Sequence, residues 1–193
     1  MDLNHPDFKF STERQFHCLR HFPFKGHEQL RVLAVKFPTN SIEQIIEQLE
    51  LVGSKFSQTF ATEPLEILNR LDQGIISSRS LENNKTLFQY TFSKDEFPQG
   101  IGDSALRSLS KLDETEQARK YKVKRDDYEV WSCDVAELPQ SNLLSIITYN
   151  QGSSFEIITL FPGDYAPAFP RGLGDSEEMN RVFWEEHCLL TLI

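Results

Sequence analysis

Apolar positions along the chain recur with two periods, and the period of two is sharpest in the second half. Residues 143–149 (LLSIITY) and 155–160 (FEIITL) are rich in β-branched side chains. They flank Asn150-Gln151-Gly152-Ser153, a turn-forming tetrapeptide, so a β-hairpin is expected there. Residues 128–135 (YEVWSCDV) read as a further strand. Residues 75–79 and 86–92 read as a second hairpin around ENNK at 82–85, with the first arm the weaker. Residues 30–37 (LRVLAVKF) are almost continuously apolar, the pattern of a strand covered on both faces.

The helical period appears in shorter stretches. After Pro38, Asn40 and Glu43 form a capping box ahead of the stripe Ile42, Ile45, Ile46 and Leu49, and Gly53 suits the C-terminal cap. Pro64 is a favoured first-turn residue, so a second helix is expected with Leu65, Leu68 and Leu71 inward and Gly74 at its close. The stretch DEFPQGIGDSAL at 95–106 reads as a loop leading into a short helix. Asp113 and Glu116 form another capping box, whose helix should end near Tyr121. A last helix, capped by Asp175 or Ser176, should carry Met179, Val182, Phe183 and His187 on one face, with a short strand over 189–193. The first 27 residues read as irregular. Strands and helices mix without regular βαβ alternation, which predicts an α+β fold: a mixed, mainly antiparallel sheet with helices packed on it, in a single domain over 1–193.

Composition supports a packed interior. The chain has 193 residues, enough for one substantial core, with 39% hydrophobic and 25% charged residues. Its 15 phenylalanines point to an aromatic, sheet-containing core. A net charge of −9 disfavours broad binding to nucleic acid or to anionic membranes. No apolar run approaches the ~20 residues needed to span a bilayer. The start, MDLNHPDFKF, has no basic and apolar leader pattern, and Cys18, Cys133 and Cys188 form no CxxC. A soluble cytoplasmic protein with reduced thiols is therefore expected.

Candidate chemistry is scattered. Gly100-Ile101-Gly102-Asp103-Ser104-Ala105 matches the GxGxxA form of the dinucleotide fingerprint, but Phe97-Pro98-Gln99 displaces it from a preceding strand. A glycine loop that needs positive φ is the better reading, and it could hold a small anion at a helix start. His17, His21 and His27 lie close together beside Cys18, and His17 and His21 would share a face on a helix, as a metal pair requires. No helical pattern supports one there, so no metal site is assigned. His187 would follow Phe183 and Trp184 on a helix, where an aromatic wall would suit a general base or simply a histidine at the core edge. The segment FPGDYAPAFPRG presents Asp164, Tyr165 and Arg171 on a loop stiffened by Pro162, Pro167 and Pro170. It serves either as a binding surface or as a cover over a sheet edge. Residues 119–125 hold five cations around Tyr121, which suits a solvated helix C-terminus better than an RNA surface on an acidic protein. Glu177-Glu178 and Glu185-Glu186 read as ordinary helix-surface acids, with Glu177 placed to pair with Arg181.

The order FPQGIG, VWSCDVAELP, EIITLFPGDYAPAFP and FWEEH, over about residues 75–193, resembles an uncharacterised bacterial and plant family known only as a domain of unknown function. That resemblance implies no activity and no site. The expected function is a small-ligand or protein-binding module without cofactor or metal. Its surface should join Gly100 and Gly102 to Asp164, Tyr165, Arg171 and Trp184. The alternative is a small hydrolase or metal-independent nuclease with His187 as base and Arg171 stabilising anionic charge. A homo-oligomer paired through the terminal strand is a third option. Neither a membrane nor nucleic acid is an expected partner.

Overall fold

The computed structural model describes residues 6–23, 53–125, 128–170 and 177–193. The strand at 30–37, the capped helix that follows it, His27, Arg171 and the caps Asp175 and Ser176 lie outside these residues. In chain order the first strands are β1 (Phe8–Lys9), β2 (Gly74–Leu81), β3 (Lys85–Phe92), β4 (Gly102–Asp103), β5 (Leu106–Ser108) and β6 (Lys120–Arg125). They are followed by β7 (Tyr128–Val135), β8 (Gln140–Ser141), β9 (Leu143–Gln151), β10 (Ser154–Pro162) and β11 (His187–Leu192). The helices are α1 (Thr12–Cys18), α2 (Pro64–Leu68), α3 (Glu114–Ala118) and α4 (Glu178–Glu186). Their contacts gather into two compact units. The first comprises the described residues up to Asp103 with Gln140–Gly163, and the second those of Ser104–Pro139 and Asp164–Ile193.

The first unit is built on a five-stranded sheet in the order β1-β10-β9-β3-β2, antiparallel except where β1 runs parallel to β10. Turn chemistry sets both hairpins. Asn83 and Asn84 adopt φ values of 57° and 58°, the paired left-handed geometry that lets a tight turn follow the twist of its strands. Gln151 faces Ser154, so Gly152 at φ 71° and Ser153 alone connect β9 to β10. Apolar side chains from one sheet face, including Tyr90, Phe92, Leu144, Ile146 and Ile157, meet Phe22, Phe56, Phe60, Ile67 and Leu71 in one core. Phe60, Phe92 and Phe97 pack edge to face, with ring centroids 5.0 to 5.6 Å apart.

Two expectations are corrected in this unit. The N-terminal segment contains β1 and α1 rather than irregular chain, and α1 packs on β10. The helix at Pro64 is a five-residue turn, followed by a 3-10 turn at Leu71–Gln73. Ile67 and Leu71 are buried and Leu68 packs against the core at partial burial, as expected for the two leucines, while Leu65 is 46% exposed. Gly74 closes the 3-10 turn, its amide donating to the Leu71 carbonyl, rather than capping α2 itself. It is extended and opens β2, where a Cβ would lie 3.2 Å from the Tyr90 Cβ.

The second unit holds a four-stranded sheet in the order β5-β11-β7-β6, with β11 parallel to β7 and the other pairs antiparallel. Leu112, Cys133, Val135, Cys188 and Leu190 form its buried cluster. The Asp113 capping box is present, with Asp113 Oδ1 accepting from the Glu116 amide at 2.8 Å and Glu116 returning a carboxylate to the Asp113 amide at 3.0 Å.

That helix stops at Ala118 rather than near Tyr121, because Lys120 already starts β6, whose alternating side chains register along β7. The loop after Phe97 leads into β4 and β5 rather than a helix. In α4, Met179 and Val182 face outward, Trp184 is the buried residue, and His187 leaves the helix to begin β11. Arg181 pairs with Glu178 rather than with Glu177, whose carboxylate accepts instead from Asn180. The terminal strand pairs with β7 from Cys188 to Leu192, while β5 flanks it only over His187–Leu189, with one further bond from the Leu190 amide to the Ala105 carbonyl. The fold is α+β with mixed, mainly antiparallel sheets. Among the described residues no helix is long and apolar enough to cross a membrane.

Candidate functional site

A concave site lies in the first unit, between residues 58–62 and the end of α2. Its geometry follows from local hydrogen bonding. Ser57 closes a turn by accepting the amides of Phe60 and Ala61 on its carbonyl, at 3.0 and 3.1 Å. Glu66, in the first turn of α2, reaches back to the Thr62 amide at 2.5 Å and to its hydroxyl at 3.1 Å. This contact ties the turn to the helix start much as a capping box would. Pro64 at the first helical position contributes a φ already suited to the helix.

Between these elements lies an open groove of about 560 Å³, lined by Gln58, Thr59, Phe60, Asn69, Arg70 and Gln73 with the Glu66 carboxylate at its side. Phe60 is 1% exposed and is pinned by Phe56, Phe92 and Phe97. The guanidinium carbon of Arg70 sits 5.4 Å from the centre of the Phe60 ring. The electron-rich ring face attracts the cation. Among the described residues Arg70 makes no ion pair and no side-chain hydrogen bond. Glu66 is committed to Thr62, so the groove presents a held, permanently charged fork of donors and neutral amide side chains.

The residues singled out in the sequence have different settings. Gly100 has φ +74°, and a Cβ there would lie 2.8 Å from the Ser141 carbonyl oxygen. A Cβ on Gly102 would meet the Lys55 carbonyl oxygen at 2.3 Å. The amides of Gly100, Ile101 and Asp103 donate to the carbonyls of Phe97, Ser141 and Lys55 at 2.9, 2.7 and 2.8 Å. Close backbone packing therefore accounts for both glycines. With these donors spent and no helix following, the loop lacks the amide cradle of a dinucleotide or anion site.

His17 is exposed on α1, and His21 is buried with Nδ1 donating to the Ser54 carbonyl at 3.0 Å. Burial, and then Arg20 and Arg14, lower the pKa of His17. Among the described residues no three His, Cys, Asp or Glu side chains gather as a metal would require.

In the second unit, Trp184 is 2% exposed, and its indole N–H donates to the Pro167 and Ala168 carbonyls at 3.2 and 3.4 Å. Phe169 lies against the same indole at 4.7 Å. Trp184 thus anchors the proline-rich loop from beneath. Asp164 is exposed at the start of that loop and accepts the Tyr165 amide at 2.7 Å, while Tyr165 is half-buried. His187 is half-buried, its ring stacked on Phe183 at 3.9 Å, with Nδ1 2.8 Å from the Phe183 carbonyl. That bond assigns the proton to Nδ1 and leaves Nε2 as the acceptor. Gly100 and Gly102 belong to the first unit, and Asp164, Tyr165 and Trp184 to the second.

No local pattern in the sequence marks Arg70. It lies just past α2, where an arginine has the ordinary explanation of a helix C-terminus. The Thr62–Glu66 spacing around Pro64 was the available local signal. No protein-family model, curated protein or solved structure matches the chain.

Proposed function

We propose that this chain is a non-catalytic binding module that takes a small organic anion, a carboxylate or a phosphate monoester, in the Arg70 groove. The observation that carries the reading is the guanidinium held on the Phe60 ring without an acceptor among the described residues. A planar fork of donors on a rigid aromatic floor matches two oxygens of such an anion. Side-chain amides of Gln58, Asn69 and Gln73 line the same space and suit hydroxyl or carbonyl groups on the ligand body. The hydrolase alternative has less support, since Arg171, its second residue, lies outside the described residues.

Titration of the full chain with inorganic phosphate, citrate and benzoate, followed by NMR of the arginine and amide side chains, tests the proposal. At least one probe should shift the Arg70 Nε–H and the Gln73 side chain saturably. Arg70→Ala should abolish the shift, and Arg70→Lys should weaken binding about tenfold, because an ammonium cannot reproduce the fork. A response that persists in Arg70→Ala, or no response to any probe, would remove the groove as the site.

A further inference from the structure

We infer that the outer edge of β6 receives an acidic, extended polypeptide segment as an added strand. This inference concerns the second unit and does not depend on the Arg70 groove. β6 ends the order β5-β11-β7-β6, and among the described residues its backbone pairs with β7 alone. Among the described residues one edge of the strand therefore has no backbone partner, and such an edge is the template on which extended peptides add.

Charge selects the partner. Arg119, Lys120, Lys122, Lys124 and Arg125 place five of the chain's 20 Lys and Arg within seven residues of a protein whose net charge is −9. Among the described residues none of the five enters an ion pair. The register with β7 puts Lys120, Lys122 and Lys124 on the sheet face of Cys133, Trp131 and Glu129. The ammonium groups of Lys120 and Lys122 lie 4.9 and 4.3 Å from the Trp131 ring centre, so the ring holds both side chains along the sheet face. Cations at every second residue match the two-residue side-chain period of an added strand, and an acid at every second position would lie opposite them. The same pattern opposes pairing of β6 with β6 of another copy, where lysine would face lysine.

Single-stranded nucleic acid fits this edge less well. It binds where several aromatics share one positively charged face. Here Tyr121 pairs with Ser132 and Trp131 with Lys122, which places the two rings on opposite faces. The Tyr121 hydroxyl also donates to Asp134 Oδ1 at 3.0 Å, leaving a carboxylate beside that ring.

Fluorescence anisotropy of the full chain with a short labelled peptide alternating Glu and Thr tests the inference. Three controls accompany it: a Gln-for-Glu peptide, a peptide N-methylated at alternate amides, and an oligothymidylate of matched charge. Saturable binding of the acidic peptide is expected. It should weaken about tenfold or more in Lys122→Glu/Lys124→Glu, whose two sites are solvent-exposed. A loss of similar size, about tenfold, should follow N-methylation, which leaves the protein untouched and removes the backbone bonds. Arg70→Ala should leave this binding unchanged, so failure here is separable from failure of the groove. No binding, equal binding of the Gln or N-methylated peptide, or tighter binding of the oligothymidylate would each overturn the inference.

Discussion

Acidification from about pH 6.5 to about pH 5 should cost the first unit about 2 kcal/mol through His21 alone. His21 is 7% exposed, its Nδ1 is 3.0 Å from the Ser54 carbonyl oxygen, and its ring lies 5.7 Å from that of Phe161. Burial is the largest influence on its titration, and the cations of Arg20, His17 and Lys55 act in the same direction. Together they hold the imidazole pKa down to about 3 from the ordinary 6.5, although the Ser54 carbonyl works against them. Between those two values the unfolded chain binds a proton that the folded chain refuses. Stability is therefore fully present above the unfolded pKa and is lost as pH falls, by about 1.4 kcal/mol per pH unit. One and a half units of acidification yield the figure above.

Urea unfolding followed by far-ultraviolet circular dichroism across this range, in the native sequence and in His21→Gln, is the assay. Trp131 and Trp184 both lie in the second unit, so tryptophan fluorescence would report on the wrong part of the chain. His21→Gln keeps a donor for Ser54 and has no proton to gain, so its stability curve should be flatter over this window. Parallel curves for the two proteins, or an imidazole signal of His21 titrating near its unperturbed value, would refute the argument.

Other outcomes follow from backbone packing, thiol burial and capping. Gly102→Ala should destabilise the chain by about 1–3 kcal/mol or more in urea unfolding, because the new Cβ would overlap the Lys55 carbonyl and the Pro162 ring, and neither is free to withdraw. Burial pushes the Cys18 and Cys188 thiols up to about 11 and also raises Cys133, where Glu116 and Asp134 add to the effect. Iodoacetamide at neutral pH should therefore leave all three cysteines unmodified in the native chain and alkylate all three in guanidinium, as read by intact mass. Asp113→Ala should cost about 1 kcal/mol in thermal or urea unfolding, since it removes the capping acceptor of the Glu116 amide.

The legible parts of this fold are those written over a few adjacent residues. The strand Tyr128–Val135, the turns at Asn83-Asn84 and Gly152-Ser153, and the Asp113 cap each depend on side chains next to one another in sequence. The basic run at 119–125 is different, because cations at a helix C-terminus and lysines on an edge strand give the same local pattern. What decides it is the pairing of Lys120 through Arg125 with Cys133 through Tyr128, which forms only when β7 is in place. Likewise nothing local in the terminal strand shows that β7 runs parallel along it or that β5 covers its first half. The Gly100–Ala105 fingerprint misleads for a related reason: its glycines answer to Ser141 and Lys55, both distant in sequence, rather than to a phosphate. The Arg70 groove carries this furthest. Phe60 is held by Phe92 and Phe97, more than thirty positions away, and the guanidinium of Arg70 lies 5.4 Å from the centre of that ring. Contacts assembled by such long-range packing leave little local periodicity behind, so the Arg70–Phe60 pair, unlike the hairpins, could be recognised only in three dimensions.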